Sequence, residues 1–123
     1  MIDHVTLRVG DIARSRAFYD RVLGSLGLSC LFVTGCDGQT CGYGAERPFF
    51  WISGGNVPAG TSAHVAFIAY SQSMVDAFHE AGIAAGGRDN GAPGLRPHYD
   101  PGYYGAFVLD PDGNNIEAVH RGS

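Results

Sequence analysis

Asp3-His4-Val5-Thr6-Leu7 and Ala63-His64-Val65-Ala66-Phe67 carry the same pattern at an offset of 60 residues, and the same offset aligns Ala17-Phe18-Tyr19 with Ala77-Phe78-His79. A strand-like segment and the helix-like segment after it thus recur in one order and at one spacing. That predicts a duplicated supersecondary unit, and repetition on this scale constrains topology before any motif is read. A chain of 123 residues has room for two such units and little more. The expected organisation is one domain over residues 1–123, with module one at about 1–56 and module two at about 62–123.

Each half reads as a strand, a helix and further strands. In the first, Val5, Leu7 and Val9 alternate with His4, Thr6 and Arg8, the signature of a half-buried strand. Asp11 is placed to cap a helix running to about Leu26, with Tyr19, Val22, Leu23 and Leu26 on one face. Strands are expected near Ser29–Val33, Thr40–Gly44 and Phe49–Ser53, and Gly54-Gly55 through Gly60 reads as a linker. In the second half, Ala63–Ala69 is a strand, and Ser71 or Ser73 caps a helix carrying Val75, Phe78 and Ala81. The stretch from Gly87 to Gly102, rich in Gly and Pro, reads as a long irregular loop, the kind that often covers a binding site. Tyr104–Leu109 and Asn115–Val119 close the chain as strands joined by a tight turn at Asp110-Pro111-Asp112-Gly113. The predicted class is α+β: two tandem βαβββ modules forming a cup-shaped mixed or antiparallel sheet, with the helices on its outer face.

Composition removes several function classes. Hydrophobic residues make up 45% of the chain, enough for a packed core. The formal net charge is -4 with no basic cluster, which argues against nucleic acid as a partner. No apolar run reaches the length of a membrane span, and the N-terminus shows no secretory pattern, so a cytoplasmic location is expected. Cys30, Cys36 and Cys41 match no zinc spacing and are expected as reduced thiols.

Period-two geometry then selects candidate ligands. If Val5, Leu7 and Val9 face a helix, His4 faces the other way; the same holds for His64 when Val65 and Phe67 face theirs. In the last strand, Ile116 and Ala118 suit the helix side, which turns Glu117 to the open face. Two imidazoles and a carboxylate are expected to project toward one cavity, a set suited to divalent Fe, Mn, Co, Ni or Zn.

His4 in a first strand, Phe18-Tyr19 in the following helix, His64 sixty residues on, and the closing run from Phe107 through Asp110-Pro111-Asp112-Gly113-Asn114-Asn115-Ile116-Glu117 together resemble the vicinal oxygen chelate superfamily, the group of glyoxalases, bleomycin-resistance proteins and extradiol dioxygenases. The resemblance covers nearly the whole chain. It implies a metal site in the cup of paired modules, with His4, His64 and Glu117 as ligands and a divalent metal (Fe, Mn, Ni or Zn) as cofactor. Glyoxalase-like members take a fourth ligand from the last strand of module one, and here that strand reads Phe49-Phe50-Trp51-Ile52-Ser53, with Trp51 or a neighbour in the carboxylate's place. A lactoylglutathione lyase is therefore not expected. The three-ligand set is similar to that of the ring-cleaving dioxygenases and of the fosfomycin-resistance thiol transferases, and the superfamily also holds metal-free drug-binding members. A homodimer is expected by the same resemblance.

Further residues are assigned around this centre. Tyr104, at the start of the strand beside that of Glu117, is expected to send its hydroxyl toward a metal-bound ligand. His98 is a candidate general acid or base. Trp51, Arg96 and Tyr103 are candidates for substrate contact, since an apolar wall with a few polar groups suits a small organic molecule. The sequence thus supports a divalent-metal enzyme acting on a small oxygen-bearing substrate by lyase, isomerase, dioxygenase or transferase chemistry, with a metal-free drug- or metabolite-binding protein as the alternative. No nucleophile motif supports hydrolysis by Ser or Cys.

Overall fold

A computed structural model describes residues 1–35, 38–57 and 62–122. Cys36 and the end of the predicted linker, residues 58–60, lie outside the described residues. The elements run β1 (Val5–Val9), α1 (Ile12–Gly24), β2 (Ser29–Thr34), β3 (Thr40–Gly44), β4 (Pro48–Gly54), β5 (His64–Ile68), α2 (Gln72–Ala84), β6 (Arg88–Leu95), β7 (Tyr103–Leu109) and β8 (Asn115–Arg121). They form two four-stranded sheets with the same order, β1-β4-β3-β2 and β5-β8-β7-β6. In each sheet the first pair is parallel and the other two are antiparallel. The fold is therefore the predicted α+β pair of βαβββ modules, built as two separate mixed sheets rather than one.

Local chemistry explains the helix starts. Asp11 accepts from the Arg14 amide at 3.1 Å, and Ser71 accepts from the Met74 amide at 3.1 Å, so each helix has one orphan donor satisfied. Of the two serines considered for α2, Ser71 is the cap. α1 stops at Gly24, short of Leu26. The side chain of Leu26 is still buried in the core.

The alternation works as the pattern requires. Leu7, Val9, Phe50, Ile52, Cys41 and Tyr43 are buried on the helix side of the first sheet. Phe67, Ala106, Val108, Ile116 and Ala118 are buried on that of the second. Both sets belong to one hydrophobic core, into which α1 sends Phe18 and Tyr19 and α2 sends Val75 and Phe78. The sheets meet there through Phe50 and Phe67, whose rings lie edge to face 5.1 Å apart. Because the helix-bearing faces share this core, the opposite faces are left open.

One expectation fails in part. The Gly87–Gly102 stretch is not irregular throughout, since β6 occupies Arg88–Leu95. Its sequence, Arg-Asp-Asn-Gly-Ala-Pro-Gly-Leu, hides a strand because the strand is an edge with register shifts on both sides of Gly91. An edge tolerates proline, and bulges tolerate glycine. Gly91 has φ +154, and a Cβ there would lie 2.7 Å from the Phe107 ring.

Candidate active site

The open face of the second sheet carries the densest polar arrangement. β5 brings His64, β8 brings Glu117, and β7 brings Tyr103, Gly105 and Phe107. The His64 Nε2 lies 3.1 Å from Glu117 Oε1, while Nδ1 lies 2.9 Å from the Asn115 carbonyl oxygen. A carbonyl only accepts, so Nδ1 carries a proton and Nε2 points at the carboxylate. Glu117 is 2% exposed, and its other oxygen accepts from the Tyr103 hydroxyl. Burial, reinforced by the hydrogen bond to Glu117 and by its charge, pushes the Tyr103 phenol up to about 12. Tyr103 therefore stays a donor across the physiological range.

Gly105 makes this contact possible. A Cβ at Gly105 would stand 3.1 Å from the Tyr103 ring and 3.2 Å from Glu117 Oε2, so a side chain there would wedge between the two. Nothing in the sequence distinguished Gly105 from the many other glycines.

A second network holds the pair in place from below. Asp110, buried, accepts from the Tyr19 hydroxyl at 2.5 Å, the Asp112 amide at 2.9 Å, the Asn114 amide at 2.8 Å and the Asn114 side-chain amide at 2.9 Å. Asn114 in turn accepts from the Ala63 amide at 2.8 Å, and Asp112 accepts from the Gly10 amide at 3.1 Å. The Asp110-to-Asn114 turn thus ties α1, the end of β1 and the start of β5 together. It fixes the strands that carry His64 and Glu117. Burial and the Asp110 charge hold the Tyr19 phenol well above its ordinary range, so this bond too stays made.

The other candidates distribute as follows. Tyr104 faces the helix side and donates to Asp76 on α2 at 2.6 Å, so its hydroxyl does not reach toward Glu117 as expected; its neighbour Tyr103 does. Tyr104 shares the parity of Ala106 and Val108, which are buried on the helix side, so period two turns Tyr103 to the opposite face with Glu117. Arg96 lies over the Phe107 ring, 5.6 Å from its centre, and Phe107 stacks on His64 at 6.2 Å. His98 is exposed and packs on Tyr99 at 4.3 Å, and Tyr99 meets Tyr103 edge to face at 5.0 Å.

His4 is not gathered with the other two. Its Nδ1 bonds Asp3 at 2.7 Å, and among the described residues no three ligating side chains come together. His4 and His64 do line one open cavity of about 780 Å³, floored by Leu26, Phe50 and Phe67. Of the three expected ligands, the structure brings His64 and Glu117 together, and His4 lies apart from that pair.

The position of Trp51 is settled by register. In module two, Ala66 pairs with Glu117; in module one, Thr6, which corresponds to Ala66 at the 60-residue offset, pairs with Trp51. Trp51 therefore occupies the place of Glu117. Its ring lies over Gly42, where a Cβ would be 2.6 Å away, and beside Phe32 at 6.5 Å.

The family model for the Glyoxalase/Bleomycin resistance protein/Dioxygenase superfamily matches residues 1–28 and 36–118. The chain belongs to this superfamily. Among solved structures of superfamily proteins, it is similar to a glyoxalase/bleomycin resistance protein from Albidiferax ferrireducens T118, with 34% identity, 98% of each chain covered and a TM-score of 0.82. Two more distant structures share the fold. Lactoylglutathione lyase from Agrobacterium tumefaciens has 21% identity, a TM-score of 0.69, and coverage of 98% of this chain and 92% of that one. TioX from Micromonospora sp. ML1 has 18% identity, a TM-score of 0.73 and 98% coverage of both chains. No curated protein sequence matches the chain. Within the glyoxalase-type fold, His64 and Glu117 come from the first and last strands of module two. No helix among the described residues is long and apolar enough to cross a membrane.

Proposed function

We propose that this protein is a divalent-metal enzyme, working in the cytoplasm on a small oxygen-bearing molecule, with His64 and Glu117 as two of its metal ligands. One observation carries the reading. The Nδ1 of His64 is taken up by the Asn115 carbonyl, and its Nε2 faces a buried carboxylate oxygen at 3.1 Å. An imidazole nitrogen and a carboxylate oxygen brought together in this way are donor types that would suit a divalent cation. Tyr103 and the Asn115 carbonyl act as the outer partners that orient ligating groups.

The third ligand in this reading is His4, supplied by a second copy of the chain. Three features support the homodimer. No third ligand joins His64 and Glu117 among the described residues, β1 and β5 are both edge strands, and the side chains of Ile68 and Tyr70 beside β5 are largely exposed. Edges and apolar patches of this kind are normally covered. Three protein ligands leave open positions, and the bound cation (Fe, Mn, Ni or Zn) would supply Lewis acidity toward two adjacent substrate oxygens. The chain's own part is to hold the site: Tyr103 keeps one Glu117 oxygen occupied as an acceptor, Phe107 walls His64, and Arg96 and Trp51 border the substrate. His98 stands at the rim as a proton carrier. Lyase, isomerase, dioxygenase and thiol-transfer chemistry all fit this description.

Trp51 favours a second reading. With an aromatic ring where module one would offer a carboxylate, the two faces suit a metal-free protein that binds a drug or metabolite by stacking. Metal analysis separates the two. Protein reconstituted with Fe²⁺, Mn²⁺, Ni²⁺ or Zn²⁺ is expected to hold about one metal per chain, lost in Glu117→Ala. Absence of stable metal in the wild type under every condition refutes the enzyme reading and leaves the binding protein.

A further inference from the structure

We infer that Arg96 is an anion-recognition residue and that the ligand of this face is a small molecule carrying a carboxylate on an apolar body. The inference rests on the proposed function only in placing the ligand on the same open face as His64 and Glu117. The Arg96 guanidinium is half-buried. One terminal nitrogen donates to the Gly94 carbonyl at 2.9 Å and the other to the Ala92 carbonyl at 2.8 Å. Both acceptors are neutral, so they fix the orientation of the group without cancelling its charge. Among the described residues, no carboxylate lies within ion-pair distance of it.

The contrast with Arg121 is informative. Arg121 also lies over an aromatic ring, that of Tyr103, but it has Asp100 at 3.6 Å. Arg96 alone of the two presents an uncompensated, oriented cation. A guanidinium has five N–H donors, and the two carbonyls leave donors over for a planar oxyanion. The placement is also built. Gly91, bare of a side chain, leaves space in which the Arg96 guanidinium comes within 3.3 Å of where a Cβ would be, with the Phe107 ring at 2.7 Å. Phe107 adjoins both groups, its ring centre 5.6 Å from the Arg96 guanidinium carbon and 6.2 Å from the centre of the His64 ring. A ligand spanning this ring meets the cation at one end, the aromatic surface in the middle and the His64–Glu117 pair at the other. Its apolar portion has the ring to rest on, and its anionic portion has a fixed donor pair.

The test uses metal-free full-length protein and two probes of one shape, phenylacetate and phenylacetamide, followed by chemical-shift titration of the backbone amides. The wild type is expected to prefer phenylacetate by about tenfold, with shifts centred on residues 91–96 and Phe107. Arg96→Gln is expected to abolish the preference, Arg96→Lys to keep part of it, and Arg121→Gln to keep all of it. Metal content is measured separately on reconstituted wild type and Arg96→Gln, so failure of the metal site and failure of the anion site are read apart. The inference is overturned if the wild type shows no preference, if Arg96→Gln retains it, or if Arg121→Gln loses it. Circular dichroism of each variant separates a folding defect from loss of the anion site.

Discussion

Replacing Tyr103 by Phe removes a single oxygen, and the consequences can be worked from where that oxygen sits. Glu117 is 2% exposed, so water cannot substitute for the lost donor. A hydrogen bond to a charged acceptor contributes about 1.5–3 kcal/mol, and its loss converts to roughly a ten- to 150-fold weakening of metal binding. Outer-shell substitutions at metal sites span about the same range. The assay is competition of Zn²⁺ or Mn²⁺ between the protein and a chromophoric chelator, with circular dichroism to show that the variant is folded. A folded variant within threefold of the wild type refutes the role assigned to Tyr103, whatever the reaction. There is also a pH signature. The phenol is pushed up from 10.0 to about 12, so folding favours its neutral form. That contribution is complete below the unfolded value and disappears as pH climbs through the folded one. The stability gap between wild type and Tyr103→Phe in urea is therefore expected to be flat up to about pH 10 and to close toward about pH 12. A gap that widens with pH contradicts the donor assignment.

Four further outcomes follow from the same geometry. Gly105→Ala places a methyl 3.1 Å from the Tyr103 ring and 3.2 Å from Glu117, and is expected to weaken metal binding about as much as Tyr103→Phe while leaving the circular dichroism spectrum intact. Tyr104→Phe breaks only the exposed bond to Asp76, so metal affinity should be unchanged and stability should fall by no more than about 1 kcal/mol in denaturant. Asp110→Ala strips four donors of one buried acceptor and is expected to cost on the order of 3–5 kcal/mol in urea unfolding, less than the sum of its bonds because they act as one network. Trp51→Glu puts a carboxylate at the register position matching Glu117, and is expected to tighten metal binding measured by the chelator assay; unchanged affinity would show that the module-one face does not join the site.

The parts of the molecule legible in the sequence are those where one periodicity governs. Alternation in β1, β5 and β8 put Leu7, Val9, Phe67, Ile116 and Ala118 in the core, with His64 and Glu117 on the opposite face of their strands, because a buried helix side leaves only one register. β6 was invisible for the opposite reason. Pro93 and the glycines at 91 and 94 serve its edge position and its bulges, and those residues are also loop formers. The tyrosine pair was legible but read from strand position instead of parity: Tyr104 falls in step with Ala106 and Val108 on the helix side and goes to Asp76, and Tyr103 goes to Glu117. The acidic turn was read as a tight turn alone. Its reach to Tyr19, Ala63 and Gly10 depends on long-range packing that no local pattern encodes.

Under the proposed reading one chain would carry half of the site, and the duplication accounts for that division. Two copies of a βαβββ unit inherit equivalent positions, and here those positions have diverged: module two keeps His64 with Glu117, while module one keeps His4 with Trp51. A buried carboxylate requires donors, and module two supplies Tyr103 and His64 for it. Around Trp51 module one provides instead the bare Gly42 surface and the Phe32 ring, which receive an aromatic side chain. The faces are thus complementary in kind, one polar and oriented, the other broad and apolar. If chains paired two-fold with the module-two face of each against the module-one face of the other, every cup would receive one of each, and a single variant at Trp51 or at Glu117 would alter both cups identically. Mixed dimers of Trp51→Glu and Glu117→Ala chains distinguish this arrangement from cups built within one chain. Across the interface one cup would hold both substitutions and the other neither, so one wild-type metal site per dimer is expected. If cups formed within each chain, no wild-type site would remain.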